Sequence, residues 1–577
     1  MADAAPPAET PVTAVPPVEG EAGEAGPSKK ALKKAEAKAK KEAEKAARQK
    51  AAAEREAVAK AASQGEDNAK DSYGPETQET IEKLPAALEI NLKTLGDEHI
   101  GKTVELRAWI QNSRLQGAKM AFVELREEGN WTIQGVIAAN ADGTISKQMV
   151  KFVGAINLES FVRVQATVEK PLEPVKSCKV SNYELHLTKV FVIAAAPQML
   201  GMNLAVANRP IANFTDEEAP VEEGVEKLSI APADELAIPT ATMLTHLDNI
   251  VMHKRSAVQQ AIADIRIEVK HLYRSYLRDR GFKEFEPPCL IGAASEGGAN
   301  VFRLPYFEKE AFLAQSPQFY KQIEVAGGRK RVFSIGPVFR AENSNTPRHM
   351  TEFTGMDLEM EINKHYHEAL DIIEGVLLHI LRSLPERCAE EIAIVRSVYP
   401  SEDFLLPEPG KEVRLTFAEG QKLLREEGPE EFRNVSDFED MSTPQEKALG
   451  ALVRKKFGTD FYVLDKFPSE ARPFYAKEDP ENPAVTNAFD CFLRNQEVLS
   501  GGQRINDPVE LEKRIRSKGV DPESPGIKEY IDIFRQAGVP PHAGAGFGLD
   551  RVVAWFLNLP SVHLAAYFPR TPKRLSP

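Results

Sequence analysis

The chain runs to 577 residues, 42% of them hydrophobic and 28% charged, with a net charge of −13. That length is too great for one core and predicts two to four domains, while the acidic balance confines any polyanion binding to local patches. Four cysteines (Cys178, Cys289, Cys388, Cys491) without CxxC spacing exclude a disulfide framework and a zinc site and fit a reducing compartment. No apolar run approaches the ~18 residues of a membrane span, and the N-terminus lacks the basic-then-apolar order of a secretory signal. A cytoplasmic location and no membrane partner are expected.

Residues 1–75 read as an appendage. Pro and Glu dominate the first 27 positions without apolar periodicity, which predicts disorder. Between Lys29 and Lys60 stand twelve Lys/Arg against five Glu, in an Ala/Lys/Glu run of strong helix formers. Lys30, Lys34, Lys38, Lys41 and Lys45 recur at helical spacing and make one cationic stripe, with almost nothing large and apolar opposite it. Such a helix cannot dock on a core. It is a solvated tail or a contact to a phosphate backbone.

Residues 76–200 read as short strands. Val104, Leu106 and Ile110 alternate with polar positions, as do Val162, Val164, Ala166 and Val168, and then Leu185 and Leu187. With turn residues such as Asn140-Ala141-Asp142-Gly143 between the runs and one helical interruption, the pattern predicts a small barrel. Residues 201–244 are acidic and aperiodic (Asp216-Glu217-Glu218) and read as a hinge. From 245 to 577 the composition is that of a packed domain, opening on a helix through Ala257, Ile262, Ile265 and Val269.

The chemistry concentrates in that last domain. Arg331–Arg340 and Thr351–Glu361 are strand candidates joined by the turn residues Asn343-Ser344-Asn345-Thr346-Pro347, which predicts an antiparallel pair. On the return strand Met356, Leu358 and Met360 share one face and suit a core. Phe353, Asp357 and Glu359 share the other, so that Arg340, Glu342, Phe353 and two carboxylates line one surface able to seat a base, a triphosphate and its magnesium. Far downstream, Gly544-Ala545-Gly546-Phe547-Gly548-Leu549-Asp550-Arg551 leads into the apolar positions Val552, Val553, Phe556 and Leu557. Arg551 then stands in the first turn of a buried helix, where the dipole already favours anions. Two fixed guanidinium forks are what holding a triphosphate requires. A third stretch, Ala488–Ser500, reads as a hairpin turning near Arg494-Asn495 with Asp490 and Glu497 roughly opposite, an arrangement that calls for a cation between them.

These stretches resemble motifs 2 and 3 of the class II aminoacyl-tRNA synthetases. The chain as a whole resembles the aspartyl-tRNA synthetases of eukaryotic cytoplasmic type, and Gly281–Pro288 resembles motif 1. The resemblance implies an α+β architecture: an OB-fold anticodon-binding barrel, then a catalytic domain of antiparallel sheet flanked by helices. It also implies ATP and L-aspartate as substrates, Mg²⁺ as cofactor, tRNA(Asp) as acceptor and a homodimer with Pro288 at its interface. For ATP it implies Arg340 and Arg551 on the phosphates as the catalytic cations, Glu342 at the adenine, Phe353 under it and Arg348, His349 and Met350 in a closing loop. Ala341, Glu497, Gly548, Leu549 and Asp550 complete that set. Asp490, Glu497 and Ser500 would face the metal. Asp550 stands where the family usually has Glu, Ala545 where Gly is common, and Thr571 where Asp is usual.

For the amino acid the resemblance implies Glu296 and Gln318 at the amine end and Lys321 and Arg504 on the side-chain carboxylate, with Ser295 and Ser500 also in the aspartate-binding set. Lys321 is the discriminating residue, because asparaginyl relatives usually lack it; an unpaired buried lysine would reject a neutral amide. For the tRNA it implies Phe122 stacking on an anticodon base beside Arg114, Gln116, Gln134 and Glu184, with Lys30, Lys33 and Lys34 on the backbone. Taken alone, a strand phenylalanine is more often core. The alternatives are an asparaginyl enzyme, a catalytically inactive RNA-binding paralogue, and an ammonia-dependent asparagine synthetase. The barrel speaks against the last.

Overall fold

A computed structural model of the chain describes residues 67–212, 238–292, 301–344 and 346–576. Lys30, Lys33, Lys34, Ser295 and Glu296 lie outside the described residues. The chain divides into two compact units between Met199 and Leu200.

In the first unit the alternating runs become strands β1 (Thr103–Gln116), β2 (Met120–Arg126), β3 (Thr132–Ala138), β4 (Phe161–Glu169) and β5 (Val180–Ala194), with helix α1 (Lys147–Ala155) between β3 and β4. β1 pairs antiparallel with β2 and with β4, and β2 pairs antiparallel with β3. β3 runs parallel to β5, which returns antiparallel to β4 and closes the ring. This is the five-stranded OB-fold barrel. Val104, Leu106, Ile110, Val162, Val164, Leu185 and Leu187 all point into its core, where α1 adds Met149, Val150 and Val153. The side chains one position along each strand are left on the outer face.

The second unit is built on an eight-stranded sheet. Its central strands are β6 (Arg331–Phe339), β7 (Glu352–Glu361), β8 (Phe461–Asp465), β9 (Ala488–Leu493), β10 (Gln496–Gln503) and β11 (His542–Gly548). They lie in the order β8-β9-β10-β11-β7-β6 with every neighbouring pair antiparallel. The short strands Arg414–Thr416 and Lys283–Glu284 add parallel edges. One face is covered by helices α2 (Ala257–Asp279) and α4 (His367–Arg387). Ser256 caps α2 by accepting from Gln259 N, and Ile262, Ile265 and Val269 bury against Met356, Leu358 and Met360 of β7. Helices α3 (Gln318–Ala326), α5 (Ile527–Gln536) and α6 (Leu549–Phe556) also belong to the unit. Both ends of the acidic stretch are tied to this unit: Ile211 N donates to Tyr399 Oη at 3.2 Å, and Ala212 forms a bridge with Thr242.

Two histidines join the short helices Met243–Asp248 and Ile250–Arg255. His246 and His253 are both buried, with their Nδ1 atoms 3.1 Å apart. One ring must therefore accept from the other, which neither can do once protonated. Burial, with His246 and Lys254 adding to it, pushes His253 down to about 3. An unfolded histidine takes up its proton near pH 6.5, so this site costs stability as pH falls from there towards 3, by about 1.4 kcal/mol per unit. Thermal unfolding followed between pH 7 and pH 4.5 is expected to fall less steeply in His253→Leu than in the parent. Parallel curves would remove the pair from the acid response.

Candidate active site

The β6–β7 hairpin forms one wall of a cavity of about 300 Å³. β6 ends at Phe339, but pairing continues one step, with Arg340 N donating to Thr351 O at 2.9 Å. Arg340 therefore leaves the sheet edge with its guanidinium over the Phe353 ring, 5.5 Å from the centroid. Its contact with Glu342 is long, at 4.0 Å, and its side chain is 43% exposed. The fork is available to a ligand. Glu342, Met350 and Phe353 line the cavity with it; Ala341 does not.

β11 and α6 form the opposite wall. The residues expected to make a buried helix do so: Val552, Val553, Phe556 and Leu557 are in the core, and Leu549 joins them rather than the cavity. Arg551 lines the cavity from the first turn of α6 and pairs with Glu497 Oε1 at 3.7 Å. Asp550 also borders the cavity, but its carboxylate is engaged within the protein. Its Oδ1 accepts from Arg266 Nη1 at 2.5 Å and its Oδ2 from Thr354 N at 3.1 Å, so it pins α6 to α2 and β7. The glycines of this stretch also serve a purpose other than ligand approach. A Cβ at Gly544 would stand 2.2 Å from Leu358 O and 2.3 Å from Glu359 Oε2, so glycine lets β11 pass beside that carboxylate.

Between the walls lies the β9–β10 hairpin. Arg494 and Asn495 both have positive φ, 42° and 69°, the twist that a two-residue hairpin turn demands. A bulge between Cys491 and Phe492 shifts the register. As a result Asp490 stands opposite Ser500 rather than Leu499, while Glu497, on the turn side of the bulge, stays opposite Phe492; the two carboxylates are therefore not cross-strand partners, contrary to the expectation that they lie roughly opposite. Arg472 bridges the first pair, Nη1 donating to Ser500 Oγ at 2.7 Å and Nη2 to Asp490 Oδ2 at 2.6 Å, with its guanidinium on the Phe467 ring. Burial pushes the Asp490 carboxyl up to about 6, against the pull of Arg472 and with the help of Glu497.

The floor is an ion cluster. Lys321 Nζ, on α3, lies 3.1 Å from Asp357 Oδ1 and 3.3 Å from Glu359 Oε2, and all three are buried. Arg504 grips Glu359 side-on through Nε and Nη2, at 3.1 and 3.3 Å, which leaves Nη1 for a ligand. Burial alone would raise the Glu359 carboxyl, but Arg504 and Lys321 hold it below the usual range. Lys321 is thus paired, contrary to the expectation of an unmatched charge. Asp357 and Glu359 belong to the floor and not to a nucleotide and its metal. Gln318 and Ser500 line the same space.

The loop after Arg340 closes the cavity. Arg348 is held by Thr443 Oγ1 at 2.7 Å and Glu446 Oε2 at 3.0 Å. His349 shares a hydrogen bond with Thr346 Oγ1 at 2.6 Å. Burial lowers its pKa, and Arg551, Arg348 and Arg340 lower it further. One neutral imidazole therefore feels all three guanidiniums.

On the barrel, the outer face of β2 carries Phe122 directly opposite Arg114 of β1, whose guanidinium lies 5.2 Å from the ring centroid. Gln134 of β3 donates to Glu184 of β5 at 2.9 Å, beside the same groove. Gln116 lies apart at the β1–β2 tip, opposite Met120. Pro288 is exposed, on the segment leading out of the Lys283–Glu284 edge strand.

Residues 242–572 match the model of the class II tRNA synthetases for D, K and N. The chain is 42% identical to the human cytoplasmic aspartate–tRNA ligase, over 89% of this chain and 96% of that protein. The chain belongs to the class II tRNA synthetases and, within them, to the aspartate–tRNA ligase family. Among solved structures, it is similar to the aspartyl tRNA synthetase from Entamoeba histolytica (TM-score 0.74, 35% identity, 89% of this chain and 98% of that one). The asparaginyl-tRNA synthetase from Pyrococcus horikoshii complexed with asparaginyl-adenylate is more distant (TM-score 0.66, 28% identity, 85% and 99%).

Class II synthetases use ATP and Mg²⁺. Asp490, Glu497 and Ser500 fit a magnesium that arrives with nucleotide: two carboxylates and a hydroxyl are hard oxygen donors, and Mg²⁺ favours one or two carboxylates plus phosphate oxygens. Asp490 Oδ1 is buried without a hydrogen-bond partner. Among the described residues no group of three or more His, Cys, Asp or Glu could hold a metal without such help. Four synthetase features escaped the motif reading: Arg472, Arg266, Glu446 and the role of Asp357 and Glu359 as the counter-charge of Lys321. Only the last left a signal, the odd-numbered face of β7.

Proposed function

We propose that the chain attaches L-aspartate to tRNA(Asp) through an aspartyl-adenylate, consuming ATP and releasing AMP and pyrophosphate. The observation that carries this reading is convergence: Arg340, Arg551, Lys321 and Arg504 line one cavity although 230 positions separate the first member of that set from the last. The nucleotide end is Arg340, Arg551, His349 and Phe353. Arg340 and Arg551 grip the phosphates from opposite walls, the base lies on Phe353, and Glu342 accepts from its amino group. Bound Mg²⁺, held by Glu497, Asp490 and Ser500, would neutralise phosphate charge.

The amino-acid end is Gln318, Asp357, Lys321 and Arg504. Asp357 and Gln318 take the ammonium, and Arg504 Nη1 with Lys321 takes the side-chain carboxylate. An asparagine amide would turn its own hydrogens toward these donors and leave them unmatched. The aspartate α-carboxylate then attacks the α-phosphorus in line, and the 3′-terminal ribose hydroxyl of the tRNA attacks the adenylate. No side chain acts as a nucleophile; the rate comes from positioning and from charge held in place.

Phe122, Arg114, Gln134 and Glu184 offer a stacking and hydrogen-bonding face for anticodon bases, and the lysine-rich tail supplies backbone contact. A homodimer formed through the segment at Pro288 completes the reading. The named relatives are cytoplasmic, and among the described residues no helix is long and apolar enough to cross a membrane. ATP–pyrophosphate exchange with aspartate and asparagine side by side, followed by charging of total tRNA, tests the assignment. Aspartate-driven exchange and charging of tRNA(Asp) are expected; exchange driven by asparagine would overturn it.

A further inference from the structure

We infer that His542 is a positioning residue for the substrate's ammonium, acting through Gln322 and Gln318. The inference rests on the amino-acid end proposed above. Gln318 Nε2 donates to Gln322 Oε1 at 2.9 Å, Gln322 Nε2 donates to His542 Nε2 at 2.7 Å, and His542 Nδ1 donates to Pro540 O at 2.8 Å. Tyr530 Oη donates to the same Gln322 oxygen. Gln318, Gln322, His542 and Tyr530 are all buried, at 4%, 0%, 0% and 2% exposure.

The sense of every bond in this chain is forced. A proline carbonyl only accepts, so His542 Nδ1 must carry the ring proton. Nε2 is then an acceptor and must receive the Gln322 amide hydrogens. That turns the Gln322 oxygen toward Gln318 and Tyr530, so Gln318 spends its NH2 on the relay. The atom left on the cavity side is its carbonyl oxygen, an acceptor suited to an ammonium. A flipped Gln318 would present hydrogens to that ammonium instead and would set its oxygen against the Gln322 oxygen, acceptor against acceptor, while a flipped Gln322 would set its NH2 against that of Gln318.

The imidazole is kept in this form by its surroundings. It is stacked on Phe534, with ring centroids 6.3 Å apart and 11° between planes. Burial lowers its pKa; Arg504 and Lys321 lower it further, and Glu359 and the Pro540 carbonyl oppose them. The helix α3 places Gln318 and Gln322 one turn apart, which is why the relay can run along its inner edge.

Succinate makes the test specific, because it has the two carboxylates of aspartate at the same spacing and no amine. His542→Phe keeps the stacked ring and loses both nitrogens. It is expected to raise KM for aspartate about 10–100-fold, the loss of one or two buried hydrogen bonds, with KM for ATP and the inhibition constant for succinate unchanged. His542→Gln, whose side-chain oxygen can still accept from Gln322, is expected to recover most of the loss. Gln322→Met removes the middle link from another element and is expected to give the same split, so the test survives if His542→Phe fails to fold. Parallel weakening of aspartate and succinate, or no weakening of either, would overturn the role of His542. A parent protein without aspartate-dependent exchange would overturn the proposed function instead.

Discussion

Arg340→Ala is expected to lower aspartate-dependent ATP–pyrophosphate exchange by about 10³-fold or more, the scale on which fixed charge at a phosphoryl centre acts. The fold should not notice. The Arg340 side chain is 43% exposed, its nearest carboxylate is 4.0 Å away, and its other contact is the face of Phe353. A substitution of that kind changes stability by no more than about 0.5 kcal/mol. Lost rate with unchanged thermal unfolding thus separates ligand contact from structure. Arg340→Lys tests the geometry of the charge: it keeps the cation and loses the paired donors, so it should fall between the parent and Ala. Arg551 is less clean, since it also pairs with Glu497 at 3.7 Å. Exchange within tenfold of the parent in Arg340→Ala would remove this arginine from the phosphates.

Lys321→Met should abolish aspartate-driven exchange and also destabilise the catalytic unit. Lys321 is 1% exposed and faces Asp357 and Glu359, which are themselves buried. Removing the cation leaves Glu359 to Arg504 and takes from Asp357 its ammonium partner. Breaking a buried pair from one side costs about 3–5 kcal/mol, because the remaining charge has neither water nor partner. Urea unfolding of the variant should show that loss. The double variant Lys321→Met with Asp357→Asn restores the balance of charge and should recover part of the stability without recovering exchange. A single variant that unfolds within about 1 kcal/mol of the parent would mean that water or rearrangement meets the exposed charge, and the floor would not be the rigid cluster described.

Much of the fold was legible. Alternation at Val104, Leu106 and Ile110, and again at Val162–Val168, placed those residues inside a barrel because a strand has only two faces. Met356, Leu358 and Met360 went to the core for the same reason. The turn at Arg494-Asn495 was legible because asparagine accepts positive φ readily, although Arg494 adopts it too. The register of the hairpin around that turn was not. One bulge moved Asp490 opposite Ser500, and nothing in the local sequence marks where a ladder slips by one residue. Nothing near Asp550 in the chain marks its partner Arg266, which stands on α2, 284 positions earlier. Arg472 carried no motif at all.

The amino-acid sequence by itself determined the two folds, the motif residues and the kinds of charge available, since periodicity, turn chemistry and helix formation depend on near neighbours. Tertiary structure decided which charge meets which. It gave Lys321 two carboxylates, tied Asp550 to Arg266, set Arg472 on Asp490 and Ser500, and fixed the hydrogen-bond sense of Gln318 through a histidine more than 200 positions away. Coulomb and hydrogen-bond energies act over a few ångströms of space, and only the folded chain sets those distances.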